Sequence, residues 1–141
     1  MDRRLCFIVA IGLLFLQACI TSKIKATPEE QAYLSEVMNM PLTFVVETGQ
    51  ADATWGRIQS FIGKYSSMKI QIATDYVFET YNPDMGQYGY KAIRTDLVEE
   101  TEFTIRCFIG RGSIRDYSYL NAQILAYYAY SGLIYPRFIH K

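Results

Sequence analysis

Histidine is almost missing from this 141-residue chain, and the single copy, His140, stands next to the last residue. A Ser-His-Asp triad, an HExxH zinc site and a histidine acid/base pair all need an imidazole held rigidly, and chain ends fray. Cysteine is nearly as scarce. Cys6 and Cys19 fall within the first nineteen residues, so Cys107 is left with no internal disulfide partner and no second thiol at metal-ligand spacing. The core must therefore hold by packing. Fourteen basic residues balance fourteen acidic ones without a Lys/Arg cluster, so the electrostatic footprint of a nucleic-acid binder is absent. Long apolar runs are lacking too. The longest, Leu5 to Phe15, breaks at Gln17 and again at Thr21-Ser22-Lys23, well short of the ~20 residues that cross a bilayer.

That run has another use. Behind the short basic head Asp2-Arg3-Arg4 it reads as a secretory signal peptide, residues 1–18. Its last residues, Leu16-Gln17-Ala18 followed by Cys19, resemble the lipobox of bacterial lipoprotein precursors. The resemblance covers the leader alone. It implies lipidation: diacylation of the Cys19 thiol, cleavage before Cys19 and acylation of the new amino terminus. The competing reading is an ordinary signal peptide cut near Ala18, with Cys19 merely the first cysteine of a secreted protein. A lone cysteine at the cleavage point favours the lipoprotein. One acyl chain binds a membrane marginally, whereas two or three, at ~0.8 kcal/mol per buried methylene, anchor lastingly. Ile20, where sorted lipoproteins retained in the inner membrane tend to carry aspartate, implies an outer-membrane address facing the periplasm, if the organism has one. The expected partners are the membrane, through lipid on Cys19, and an envelope protein or component.

Residues 19–27 read as a tether, and residues 28–141 as one domain, too short for two cores. Thr27-Pro28-Glu29-Glu30 is a helix start with a capping box, and the helix it opens places Tyr33, Leu34, Val37 and Met38 on one face. Leu42 to Glu47 is rich in branched and aromatic residues and predicts a strand that Thr48-Gly49-Gln50 ends. From Ala51, apolar residues at Trp55, Ile58, Ile62 and Tyr65 define an amphipathic helix with Arg57, Gln59 and Lys64 outward. Alternation then predicts strands over Met68 to Thr80, Tyr88 to Thr95 and Glu102 to Gly110. A last helix, capped by Asp116 or Ser118 and stopped by Gly132, carries Leu120, Ile124, Leu125 and Tyr128 inward. The apolar tail Leu133 to Lys141 should pack back onto the domain. The fold class is α+β: a two-layer sandwich, an antiparallel sheet of three to four strands with helices on one face.

Candidates for chemistry are few, and no motif asks for a cofactor or a metal. A Cys107-His140 dyad needs an exposed thiol of depressed pKa, yet Cys107 alternates with Phe103, Ile105 and Ile109 and so reads as buried and inert. Asp75 and Glu79, four residues apart on one predicted strand, stand ~13 Å from each other, beyond the reach of a glycosidase pair. Arg111 and Arg115, in Gly110-Arg111-Gly112-Ser113-Ile114-Arg115 ahead of a helix, offer guanidiniums and backbone amides to an anion, or form an exposed turn. All twelve tyrosines follow Cys19. Tyr88 and Tyr90 share a strand face, and Tyr127, Tyr128 and Tyr130 spread over more than one face of the last helix, which makes a recognition patch plausible beside simple rim packing. The reading that follows is a membrane-anchored, non-catalytic binding domain. Its alternatives are a small-ligand carrier with a tyrosine-lined pocket and a carboxylate-based envelope enzyme.

Overall fold

A computed structural model describes residues 26–141. The signal segment 1–18, the lipidation site Cys19 and most of the 19–27 tether lie outside the described residues. The first helix, α1 (Pro28–Asn39), starts as its sequence dictates. Thr27 Oγ1 accepts the Glu30 amide, and the Glu30 carboxylate accepts the Thr27 amide at 2.8 Å. Tyr33 and Val37 are buried, but Met38 is 61% exposed rather than inward.

Strand β1 (Thr43–Glu47) buries Phe44 and Val46 and runs without a break into α2 (Thr48–Tyr65), where Thr48-Gly49-Gln50 is the first helical turn and not a separator. The anticipated long strand from Met68 to Thr80 is two strands, β2 (Ile70–Ala73) and β3 (Val77–Thr80). Thr74 divides them. Its hydroxyl accepts the Tyr76 and Val77 amides and its own amide donates to the Val77 carbonyl, a local turn that outcompetes the alternation. Two long strands follow, β4 (Tyr88–Asp96) and β5 (Glu100–Ile109), and then α3 (Ser118–Ser131) and a 3₁₀ turn at Pro136–Phe138.

The five strands form one antiparallel sheet in the order β1-β5-β4-β3-β2, one strand more than the sequence promised, in the expected α+β sandwich. Register puts Tyr88, Tyr90 and Ala92 of β4 opposite Ile109, Cys107 and Ile105 of β5, all on the helix-facing side. The pairing also gives the sheet two distinct ends. One gathers Glu47, Asp96 and Glu100; the other gathers Tyr88, Ile109 and Gly110.

Helix α3 is central. It packs on β5 and β1 and against both α1 and α2, and Asn121 to Ala126 are buried without interruption. A helix buried on most of its circumference needs apolar residues all round, so no single inner stripe defines it. Its polar core residues act as clamps. Gln123 donates to the Met38 carbonyl at 2.8 Å, capping α1, and Arg57, expected to face water, is half-buried and donates to the Ala129 carbonyl at 2.7 Å. Gly132 ends α3 with φ 78°, as a left-handed cap requires. The tail packs back as anticipated, with Ile139 buried and Tyr135 and Phe138 against Tyr33.

Candidate functional site

Most tyrosine candidates are structural. Tyr90 is 0% exposed and Tyr88 nearly so, which removes both from any surface patch. The Tyr88 hydroxyl accepts the Tyr117 amide at 3.2 Å and so braces the start of α3. The three tyrosines of α3 do spread around the helix, but toward three different neighbours. Tyr127 meets Tyr33 edge-on at 5.5 Å, Tyr128 leans on Phe61 at 6.1 Å, and Tyr130 meets Phe44 edge-on at 6.1 Å. Of these five candidates only Tyr130, 57% exposed, presents much of its ring to solvent.

Arg111 and Arg115 are exposed in the loop between β5 and α3. Arg111 lines an open cleft of about 640 Å³ with Met85 and Phe108; Arg115 lines another of about 590 Å³ with Tyr88, Tyr117 and His140. The start of α3 is already taken by a carboxylate. Asp116 Oδ1 accepts the Ser118 amide at 2.8 Å, and hydrogen bonding from Ser118, its side chain first and then this amide, holds the Asp116 carboxyl below its usual range. The two arginines therefore stand in a turn, apart from the helix amides they were expected to assist.

The reactive groups are also held. Cys107 is half-buried, and burial pushes its thiol up to about 12, the reverse of what a nucleophile needs. His140 lies flat on Tyr117 at 3.7 Å between ring centroids, and burial lowers its imidazole. Glu79 pairs with Lys91 at 2.8 Å, on the sheet face turned away from the helices. Asp75 is not on a strand; it sits in the turn that Thr74 makes.

That turn brings Asp75 to a constellation that no sequence spacing announces. At the acidic end of the sheet, a cleft of about 400 Å³ is walled by Asp52, Trp55, Gly56 and Gln59 of α2, Arg94 and Asp96 of β4, and Asp75 and Tyr76. The α2 residues fall at i, i+3, i+4 and i+7, one face of the helix. Arg94 is the hub. Its Nη1 donates to Asp52 Oδ1 at 2.8 Å and its Nε to Asp96 Oδ1 at 2.7 Å, while Thr101 Oγ1 adds a 3.1 Å bond to the same Asp96 oxygen. The Arg94 bond is the main reason the Asp96 carboxyl lies below the usual carboxylate range. Trp55 is 6% exposed, stacks on Phe103 at 6.1 Å, and its buried indole N–H has no acceptor among the described residues. Buried donors without partners are uncommon.

Helical spacing places Trp55 on the apolar face of α2 and gives no reason to single out Asp52. A signal was present in Arg94 and Asp96, a charged pair at the end of a buried alternation, on the face where apolar residues precede them. No family model, curated protein or solved structure matches this chain.

Proposed function

We propose that the protein is a membrane-anchored bacterial lipoprotein whose small α+β domain binds a protein or another envelope component and does no chemistry itself. The leader and the Leu16-Gln17-Ala18-Cys19 pattern support the anchor. The observation that carries the non-catalytic reading is the occupation of the two side chains best suited to acyl transfer: a Cys107 thiol raised to about 12, and a His140 ring stacked on Tyr117. The clefts, in contrast, are open and lined by charged groups, with the exposed Tyr76 ring in one and half-buried Tyr117 and His140 in the other, as docking surfaces are. Mass spectrometry of the mature amino terminus tests the anchor, with an acylated Cys19 expected and an unmodified one refuting it. Cross-linking in intact membranes, followed by capture through Tyr130→Ala and wild-type baits, tests the binding. Turnover of an envelope substrate by the purified protein, abolished by one polar substitution, would overturn the non-catalytic reading.

A further inference from the structure

We infer that the outer edge of β1 is a self-association surface, along which a second copy of this chain pairs antiparallel and joins the two sheets into one. This goes beyond the binding reading above and does not rest on it.

Strand β1 meets β5 with only half of its backbone. The Ile105 amide donates to the Leu42 carbonyl and the Thr48 amide to the Glu99 carbonyl, so in this register the even-numbered residues face β5. Thr43, Val45 and Glu47 therefore turn their amides to the other side, where no strand lies among the described residues. All three are exposed. The Thr43 and Val45 carbonyls point the same way, while that of Glu47, the N-cap of α2, serves the helix.

Bulges and lysines are among the devices that keep sheet edges from pairing with another chain. The opposite edge has both, since β2 shifts register between Ile70 and Ile72 and directly follows Lys69. Strand β1 has neither. It keeps one register over Thr43–Glu47, is rich in branched and aromatic residues, and carries Glu47 as its only charge.

That sequence fits its own copy. Two β1 strands paired about Val45 set Val45 against Val45, Thr43 against Glu47 and Phe44 against Val46. The two Val45 residues exchange a pair of hydrogen bonds, and each Glu47 amide reaches the Thr43 carbonyl of the other copy, so every open carbonyl is used. The two Glu47 carboxylates then lie ~14 Å apart, four residues of strand, beyond the ~8 Å screening length at physiological salt. Sliding the pairing toward the Glu47 end would bring those carboxylates together, which fixes the register. Val45, 44% exposed, packs on its copy at the outer face, and Tyr130, 57% exposed and edge-on to Phe44, gains Val46 of the second copy as a neighbour. Five paired residues fall far short of the ~20–30 a side of a standard interface, so the dimer should dissociate on dilution.

Sedimentation of the whole protein in a density-matched neutral detergent, over a dilution series, should show a mass that rises from one chain to two. Val45→Lys sets two ammoniums opposite each other and should weaken the dimer about tenfold. Val45→Pro removes an amide that β5 does not use, and should abolish the dimer while leaving the β1-β5 bonds in place. Ile72→Lys, at the guarded edge, should change nothing. Urea midpoints close to wild type show that each variant folds, and if Val45→Pro does not, Val45→Lys carries the test. A single-chain mass at every concentration, a dimer indifferent to Val45→Lys, or an equal loss with Ile72→Lys would each overturn the surface. In intact membranes, a short bis-maleimide should link two copies of Val45→Cys, with wild type, whose Cys107 is half-buried, as the blank. A link to a different protein in place of a second copy would give the edge to an extended segment of another chain and overturn the assignment.

Discussion

Asn121 and His140 hold each other by two reciprocal hydrogen bonds. The Asn121 amide donates to the His140 carbonyl at 2.8 Å and its carbonyl oxygen accepts the His140 amide at 3.0 Å. A fully buried side chain near the start of α3 thereby closes the tail over the core, and Ile139 is buried beneath that clasp. Asn121→Ala should lower stability by ~2–3 kcal/mol, since both bonds are lost and the tail is freed. Urea unfolding measures the loss, and limited proteolysis should cut first within 133–141. A variant with wild-type midpoint and an uncut tail would show that the clasp is idle.

Two glycines should respond to the same substitution with opposite signs. A Cβ on Gly110 would lie 1.7 Å from the Asp84 carbonyl oxygen, backbone that cannot yield without parting the 82–87 loop from the end of β5. Gly110→Ala should therefore destabilise by ~2 kcal/mol or more. Gly63, inside α2, meets nothing within 4 Å, and Gly63→Ala should stabilise by ~0.5–1 kcal/mol. Thermal melts of the two variants give the comparison, and a shift of the same sign in both would contradict it.

Tyrosine hydroxyls divide similarly. Tyr90 is buried, and among the described residues its hydroxyl has only the weakly bonding Cys107 thiol beside it, so Tyr90→Phe should leave stability unchanged or raise it by ~1 kcal/mol. Tyr88 accepts the Tyr117 amide ahead of α3, and Tyr88→Phe should cost ~1 kcal/mol. Chemical denaturation ranks the pair, and a Tyr90→Phe loss as large as that of Tyr88→Phe would mean the Tyr90 hydroxyl makes a bond as strong as that of Tyr88.

Alkali should weaken the fold. Burial raises the Tyr33 phenol to about 12 from 10 and the Cys107 thiol to about 12 from 9, and it raises Tyr90 further. In each case the folded protein holds its proton more tightly than the unfolded chain. The stability these groups contribute is therefore whole below about pH 9 and is lost progressively as pH climbs toward 12. Urea midpoints at pH 8 and pH 10.5 should differ, and Cys107→Ala should narrow the difference. Midpoints flat across that interval would count against the assignment.

Local signals carried much of the architecture. The capping box of Thr27 and Glu30, the Trp55-Ile58-Ile62 face of α2, the alternation through Phe103 and Ile105, and the Gly132 stop are all set within one or two turns of chain, and all are realised. The long second strand failed for an equally local reason. Thr74 bonds to the amides two and three residues ahead, and such a turn outweighs an alternation that continues on both sides of it.

Of the candidate site, the sequence by itself determined the composition and little else: one histidine, one tryptophan, no charge excess, and a leader that resembles a lipobox. Tertiary structure decided which side chains meet. Asp52 and Arg94 are forty-two residues apart, and only the packing of α2 across β4 makes them neighbours. The burial of Tyr88 and Tyr90 and the polar clamps Arg57, Asn121 and Gln123 follow from α3 lying between two helices and a sheet, a placement with no period of its own. Periodicity reports which face of an element is buried, and it says nothing about what the other elements bring to that face.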